Sequence, residues 1–299
     1  MSARGVSGRA EPLAGARSVL ADYVTLTKPR VQLLLLLTTV TTMYVAGDPS
    51  LGLVALTCLG GALSAGGAGA INHYVDRDID ALMTRTSTRP VPSGRIAPAA
   101  ALAWGVFLGS ASFVLMALTI NVLAASLALV GLLGYVFVYT LWLKRSTPQN
   151  IVIGGAAGAM PPLVAWAATT GGLSWWAVYL FAIVFYWTPP HFWALSLLMK
   201  GEYEKAGVPM MPVVRGEEET RRQIVLYTGL LFMLTMLPAC GGLFGTIYLT
   251  AVVVLGTGFS LLALRLFRSK ERRAALRLYL FSLAYLALLF GAMVLDTRI

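Results

Sequence analysis

The stretch that decides the fold runs from Asn72 to Arg95 and reads N-H-Y-V-D-R-D-I-D-A-L-M-T-R-T-S-T-R-P-V-P-S-G-R. It follows directly on a long apolar run and brings three aspartates and four arginines to the end of that run. Charged side chains at the end of a membrane-spanning segment are costly unless they pair or have a function. The stretch therefore predicts both a membrane boundary and a functional site.

Asn72, Asp76 and Asp80 follow one another at four-residue intervals. If the preceding helix continues through them, they lie on one stripe, with each about 6 Å further along the axis. Their hard oxygens suit Mg²⁺, which binds one or two carboxylates and leaves positions for substrate phosphates. We predict these three residues as metal ligands and catalytic residues, and Asp78, out of phase, as facing solvent or paired with an arginine.

Arginines 85, 89 and 95 follow this stripe within the same loop. A guanidinium binds phosphate oxygens through two parallel hydrogen bonds, so Arg85, Arg89 and Arg95 are predicted to bind a diphosphate. The alternative is a solvated loop whose acids and arginines neutralise each other. The asparagine one turn before the acids and the membrane boundary favour the metal and diphosphate site.

The composition excludes a soluble globular domain, because 58% of the 299 residues are hydrophobic and only 12% are charged. The net charge of +10 is confined to short loops between apolar runs. Such charges report topology, so membrane lipid is a predicted partner and nucleic acid is not.

Apolar runs long enough to cross a membrane, which takes about 20 residues, number nine. They cover 31–47, 51–71, 99–118, 121–143, 150–169, 174–198, 222–243, 246–267 and 275–295. With a cytoplasmic N-terminus, every Lys and Arg except Arg298 falls on the inner side, as the positive-inside rule requires. We predict an all-α polytopic membrane protein of nine transmembrane helices with its C-terminus outside. A flexible cytoplasmic tail over 1–27 precedes a single domain, 28–299, with pseudo-repeats at about 28–145 and 146–270.

Glycine and proline add two local expectations. The glycine-rich segment 51–71 predicts close backbone contact with neighbouring helices. Pro161-Pro162 and Pro189-Pro190 each predict a kinked or broken helix. Broken helices within a membrane are tolerated only beside protein or a cavity.

The N-x3-D-x3-D pattern at the end of the second run resembles the first signature of the UbiA superfamily of intramembrane prenyltransferases. Three further stretches resemble its heme-farnesylating branch: R-P-V-P-S-G-R over 89–95, W-T-P-P-H-F-W over 187–193 and A-G-V-P-M-M-P over 206–212. The resemblance implies a nine-helix bundle whose central cavity is capped by the inner loops 72–98 and 199–221. It also implies Mg²⁺ as cofactor, with farnesyl diphosphate and heme B as substrates.

The second of these stretches is rich in aromatic side chains. Aromatic faces attract cations and can stack on a porphyrin, whereas the alternative is an aromatic belt at the membrane interface. With the resemblance, we predict contacts to heme or the prenyl chain from His73, Tyr186, Trp187, His191, Phe192, Trp193 and Tyr203.

Basic and acidic residues outside the first stretch complete the predicted site. Lys28, Lys200 and Lys205 are predicted to bind diphosphate, although Lys28 equally suits a positive-inside anchor. Glu202 stands where relatives usually carry aspartate and is predicted as a ligand of a second Mg²⁺. The superfamily's second D-x3-D is absent. The acidic run 217–219 is predicted as the start of a helix.

The function implied is transfer of a farnesyl group from farnesyl diphosphate to the vinyl group of protoheme IX, giving heme O for heme A and cytochrome oxidase biogenesis. Heme A synthase is then a further partner, and the location is the plasma membrane of a bacterium or, alternatively, the mitochondrial inner membrane. One alternative is a prenyltransferase for an aromatic quinone precursor. Another is a secondary transporter built on broken helices, whose acids should lie near the bilayer midplane rather than at its inner boundary.

Overall fold

The computed structural model describes residues 16–240 and 244–299, and within these ranges the chain is helical with no β-strand. The helices are α1 Ala16–Leu26, α2 Pro29–Ala46, α3 Leu51–Val75, α4 Arg77–Leu82, α5 Pro98–Thr119, α6 Val122–Leu133, α7 Lys144–Ser146, α8 Asn150–Gly158, α9 Met160–Thr170, α10 Trp175–Leu198, α11 Lys200–Lys205, α12 Met211–Val214, α13 Gly216–Cys240, α14 Thr246–Ser269 and α15 Arg272–Asp296. A π-helix over Gly134–Leu143 joins α6 to α7.

Among the described residues, seven helical segments are long and apolar enough to cross a membrane. They are Pro29–Ala46, Leu51–Val75, Pro98–Thr119, Val122–Ser146, Asn150–Thr170, Thr246–Ser269 and Arg272–Asp296. The predicted all-α polytopic class is confirmed. The two other predicted runs fall on helices α10 and α13. The count of nine transmembrane helices and the orientation of the termini stay predictions.

The first 27 residues were predicted as a flexible tail, and residues 1–15 lie outside the described ranges. From Ala16 to Leu26, however, the chain forms helix α1. Leu26 is fully buried against Ala70 and Ile96, and Asp22 pairs with Arg95 at 2.9 Å. These tertiary contacts hold in place a part of the chain that the sequence predicted to belong to the flexible tail.

Short connections on the side away from the charged loops end in side-chain caps. Ser50, Asn121 and Ser174 each accept a hydrogen bond from the backbone N–H three residues later, at the starts of α3, α6 and α10. Such caps satisfy amides that the first helical turn leaves without partners. They fix where three of the long helices begin.

The glycine-rich helix α3 packs against α5 at backbone distance, as predicted. A Cβ added to Gly67 would stand 2.7 Å from the carbonyl oxygen of Gly105. One added to Gly105 would stand 2.9 Å from the backbone nitrogen of Ile71. This contact requires glycine, and it fixes the end of α3 that carries Asn72.

The two proline pairs behave differently. Pro161-Pro162 coincide with a break, because α8 ends at Gly158 and the prolines occupy the first turn of α9, where their missing N–H costs nothing. The predicted break at Pro189-Pro190 is wrong, since α10 runs without interruption from Trp175 to Leu198, whereas a kink at this pair stays a prediction. Tertiary contacts on this helix outweigh the lost hydrogen bonds.

The two inner loops pack against each other. Ile79 and Met83 of the first loop share a buried cluster with Tyr203, Val208 and Met210 of the second. As predicted, the acidic run 217–219 forms the first turn of a helix, α13. The loop pair thus covers the end of the bundle where Asn72 lies, while the central cavity implied by the resemblance stays a prediction.

Candidate diphosphate and metal site

The acidic stripe at the junction of α3 and α4 is formed by Asn72, Asp76 and Asp80. Although α3 ends at Val75, Asp76 N–H donates to Asn72 O at 2.9 Å and Asp80 N–H donates to Asp76 O at 2.8 Å. The four-residue repeat therefore continues across the junction. All three side chains are at most 3% exposed, so the stripe faces the protein interior.

Asp78 lies off this stripe, as its spacing predicts. Its side chain is 61% exposed and accepts two hydrogen bonds of 2.7 Å from Arg145. These bonds hold the pKa of Asp78 well below its usual range. Asp78 is thus both exposed and paired with an arginine.

Basic side chains contact every residue of the acidic stripe. Lys28 Nζ donates to Asn72 Oδ1 at 2.5 Å, and Arg89 donates to Asp80 Oδ2 at 2.7 Å. Lys144 pairs with Asp76. Since an unpaired buried carboxylate is very unfavourable, these cations stabilise the stripe in the folded protein.

Lys28 reaches the stripe through an unusual backbone conformation. It joins α1 to α2 with φ 55° and ψ 55°, in the left-handed region that few residues other than glycine adopt. Burial, followed by the nearby charges of Arg89 and Lys144, lowers the pKa of Lys28 to about 7. Positive groups crowded in this way favour an added anion such as a diphosphate.

The π-helix supplies a fourth contact to the stripe. Thr140 Oγ1 donates to the carbonyl of Tyr135, five residues earlier, at 2.9 Å. The same hydroxyl accepts from Asn72 Nδ2 at 3.1 Å, while Nδ2 also donates to Asp76 at 2.7 Å. Because π-helical turns are wider than α-helical ones, the segment presents Thr140 and the following Lys144 to the same site.

Four of the basic residues predicted to bind diphosphate have other surroundings. Arg95 pairs with Asp22 and the carbonyl of Thr88, so it ties α1 to the first loop. Lys200 lies 3.4 Å from Glu217. Arg85 and Lys205 are exposed. Only Lys28 and Arg89 of the predicted set contact the acidic stripe.

Glu202, predicted as a metal ligand, contacts the first inner loop instead. Its carboxylate accepts hydrogen bonds from the backbone N–H and the hydroxyl of Thr84. Within residues 16–240 and 244–299, no three His, Cys, Asp or Glu side chains gather as a metal-binding group. The oxygen set available to a metal is therefore the stripe itself, two carboxylates and one amide.

The W-T-P-P-H-F-W stretch forms a stack of rings deep in the second half of the chain. His191 lies between Trp187, at 4.3 Å, and Tyr279, at 4.9 Å, in near-parallel planes. Its Nδ1 is 2.6 Å from the Ser282 hydroxyl, and Trp187 donates to the carbonyl of Ser282 at 2.8 Å. The histidine is thus held on three sides.

The other predicted aromatic residues divide between two places. Trp193 and Tyr186 both pack on Tyr227 of α13, near the His191 stack. Phe192 and Tyr203 instead join the loop cluster that contains Ile79. The second pair therefore lies beside the helix that carries Asp80.

His73 follows directly after Asn72 and is 1% exposed. Neither ring nitrogen has a hydrogen-bond partner within the described part of the chain. Most buried polar atoms in proteins are paired, so His73 is an exception beside the acidic stripe.

Residues 35–289, most of the chain, match the UbiA prenyltransferase family. The chain belongs to this family. A solved UbiA homolog from Archaeoglobus fulgidus, described as bound to DMAPP and Mg²⁺, has the same fold, with a TM-score of 0.69 at 17% identity over 91% of this chain and 99% of that one.

Several curated relatives of this UbiA family member are named protoheme IX farnesyltransferase. A protoheme IX farnesyltransferase of Roseiflexus sp. (strain RS-1) is 55% identical over 95% of the chain and 54% of the relative. Another, of Symbiobacterium thermophilum, is 54% identical over 93% of the chain and 94% of the relative. The chain thus spans about half the length of the first and nearly all of the second.

Sequence reasoning missed three residues that contact the acidic stripe: Thr140, Lys144 and Arg145. The dipeptide Lys144-Arg145 carries a signal, since it ends the fourth predicted run, but it was interpreted only as a marker of topology. Its contact with Asp76 joins residues 68 positions apart. No local pattern specifies such a pairing.

Proposed function

We propose that this chain is a Mg²⁺-dependent prenyltransferase that transfers a farnesyl group from farnesyl diphosphate to a vinyl group of protoheme IX, giving heme O. The observation that carries the transferase part is the buried acidic stripe with a lysine or arginine on each of its three members. The names of relatives more than 50% identical support heme and farnesyl as the substrates.

The basic residues supply the diphosphate end of the proposed reaction. Lys28, Lys144 and Arg89 converge on the stripe from the α1–α2 connection, α7 and the first inner loop. Each is a donor already held in place, and a bound diphosphate would favour the charged form of Lys28. Preorganised donors stabilise negative charge that builds up on a leaving group. Their role is to bind the diphosphate and stabilise it as it departs.

The stripe fits Mg²⁺ by the chemistry of its donors. Asn72, Asp76 and Asp80 offer hard oxygens, buried and spaced by one helical turn, and one oxygen of each residue contacts a lysine or arginine. When bound, Mg²⁺ would neutralise the diphosphate as a Lewis acid. Glu202 remains a weaker candidate for a second ion, because its carboxylate binds Thr84.

The proposed reaction balances without an oxidant. The carbon–oxygen bond between farnesyl and diphosphate breaks, and its electron pair leaves with the diphosphate. The terminal carbon of the vinyl group bonds to the farnesyl carbon, and water adds to the neighbouring vinyl carbon with loss of a proton. The rings of Trp187, His191, Phe192 and Trp193 would shield the allylic cation or contact the porphyrin.

His73 is proposed to contact the heme or prenyl group. The support is that neither ring nitrogen of His73 has a hydrogen-bond partner among the residues the structure describes, and that His73 directly follows Asn72. Tyr186 and Tyr203 belong to the same proposed surface, together with the two halves of the aromatic set.

For location, we propose the plasma membrane of a bacterium, with nine helices, a cytoplasmic N-terminus and heme A synthase as the next enzyme. Single cysteines placed by Ser87→Cys and Thr297→Cys, with Cys58 and Cys240 replaced by alanine, test this topology. Impermeant reagents should label them from opposite sides. Labelling from one side would contradict the nine-helix topology.

The function is tested by adding heme B, farnesyl diphosphate and Mg²⁺ to membranes of a host that makes no heme O and expresses this chain. Extracted pigment should gain the mass of one farnesyl group and one hydroxyl group. A chelator should abolish the product. Unchanged heme together with prenylation of an aromatic quinone precursor would favour the quinone branch, and substrate flux without either product would favour a transporter.

A further inference from the structure

An apolar groove of about 390 Å³ runs along the outside of the bundle, between α3, α5 and the segment from α6 into the π-helix. Ile71 forms part of its floor, and Val106 and Phe137 stand on its rim. On α3 the groove is lined by Tyr74 and Val75, which point away from the stripe of Asn72 and Asp76. It is therefore separate from the proposed substrate site.

One end of this groove opens into a second, charged pocket. The two share Tyr74, Val75 and Leu141, and the second is also lined by Arg77, Asp78 and Arg145. Arg77 is exposed, with its guanidinium 4.8 Å from the centre of the Tyr74 ring. Two arginines against one aspartate leave this pocket with a net positive charge.

We propose that an anionic phospholipid occupies both pockets, with an acyl chain in the groove and its phosphate at Arg77 and Arg145. The groove lies along membrane-spanning helices, and the arginines follow the last apolar turn of α3 or end the fourth span, where lipid headgroups lie. Guanidinium groups bind phosphate oxygens in pairs. In phosphatidylcholine the phosphate charge is neutralised by the choline of the same headgroup. The positive pocket therefore binds an anionic lipid in preference to phosphatidylcholine.

The π-helix lets one segment serve both sides. Phe137 and Leu141 line the groove, while Thr140 between them contacts Asn72 in the interior. Arg145 likewise contacts Asp78 in the charged pocket and lies 3.5 Å from Asp76 of the stripe. The lipid and the catalytic stripe are thus separated by the width of one helix.

The proposal is tested by reconstituting the full chain in nanodiscs of equimolar phosphatidylcholine and phosphatidylglycerol and counting retained lipids by native mass spectrometry. We expect one lipid, mainly phosphatidylglycerol, to survive delipidation. Arg77→Gln should reduce the preference for phosphatidylglycerol over phosphatidylcholine about fivefold, the effect of one arginine at a lipid headgroup. Arg222→Gln, which alters a 67% exposed arginine elsewhere, should leave it unchanged.

Val106→Trp tests the groove itself. Val106 is 53% exposed on the rim, so a tryptophan there fills the groove without entering the core. The retained lipid should be lost while the protein keeps its elution volume and melting temperature. Equal retention of both lipids, equal effects of Arg77→Gln and Arg222→Gln, or a dimer that Val106→Trp dissociates would each overturn the proposal, the last because a second copy would cover the groove.

Discussion

The acidic stripe of α3 and α4 is buried, whereas the ring stack of α10 is only partly buried, and different forces hold the two. In the stripe, Asp76 and Asp80 are held by ion pairs to Lys144 and Arg89. In the stack, His191 is held by two aromatic planes and one hydroxyl. The first region suits a charged ligand, and the second suits a flat or apolar one.

This difference indicates how a single bundle can serve a substrate with two unlike ends. A diphosphate is bound best by positive side chains that water does not screen. A prenyl cation is stabilised by a polarisable surface that carries no nucleophilic group. Phe192 and Tyr203 connect the two regions, since they pack with Ile79 beside Asp80. The division of labour is therefore open to test one region at a time.

The largest effect is expected from Asp76→Asn. The change keeps size but removes a charge that faces Lys144, and breaking one side of a buried ion pair costs about 3 kcal/mol or more. Transfer rates in membranes should fall at least about 100-fold. Asp78→Asn, on the exposed side, should lose less than about tenfold.

The control for misfolding is the double variant Asp76→Asn with Lys144→Met, in which the lysine left without its partner is also removed. It should elute as a folded monodisperse protein and remain inactive. If Asp78→Asn is as damaging as Asp76→Asn in folded protein, the helical stripe does not define the site.

A smaller effect is expected from Lys144→Gln. Losing one charge-assisted hydrogen bond of about 2 kcal/mol should raise the KM for farnesyl diphosphate about 30-fold, with the KM for heme unchanged. Lys205→Gln is the matched control, because Lys205 is exposed on the second loop. Steady-state kinetics with each substrate varied shows whether farnesyl diphosphate is bound by Lys205, which the sequence predicted, or by Lys144, which the structure places beside Asp76.

The contrast between these two lysines shows which parts of the site a sequence can predict. Asn72, Asp76 and Asp80 are related by the helical period, which acts over a few residues and is visible in the spacing. Lys144 meets Asp76 only because two distant helices pack, and Arg95 turns to Asp22, 73 residues away, for the same reason. The spacing therefore predicted that the three residues share one stripe but not which side chains pair with them.

Substitutions in the ring stack are expected to change the KM for heme alone. His191→Phe keeps a flat ring between Trp187 and Tyr279 but removes the contact with Ser282. We expect the KM for heme to rise about fivefold, near 1 kcal/mol for one hydrogen bond, with that for farnesyl diphosphate unchanged. Ser282→Ala, which removes the other partner of this contact, should also raise the KM for heme. An equal rise in the KM for both substrates would mean that the stack supports the fold and binds neither substrate.

The smallest effect is expected from Pro190→Ala. If the prolines aimed the aromatic side chains by breaking α10, alanine would reposition them and activity would fall as far as in His191→Phe. Helix α10 is continuous, however, and the positions of Trp187 and His191 are fixed by Ser282 and Tyr279 on α15. Alanine restores a backbone donor, so we expect the melting temperature to hold or rise slightly and activity to change less than about threefold. A larger loss of heme transfer, in protein whose melting temperature is unchanged, would show that the ring stack depends on the backbone of α10 rather than on its neighbours.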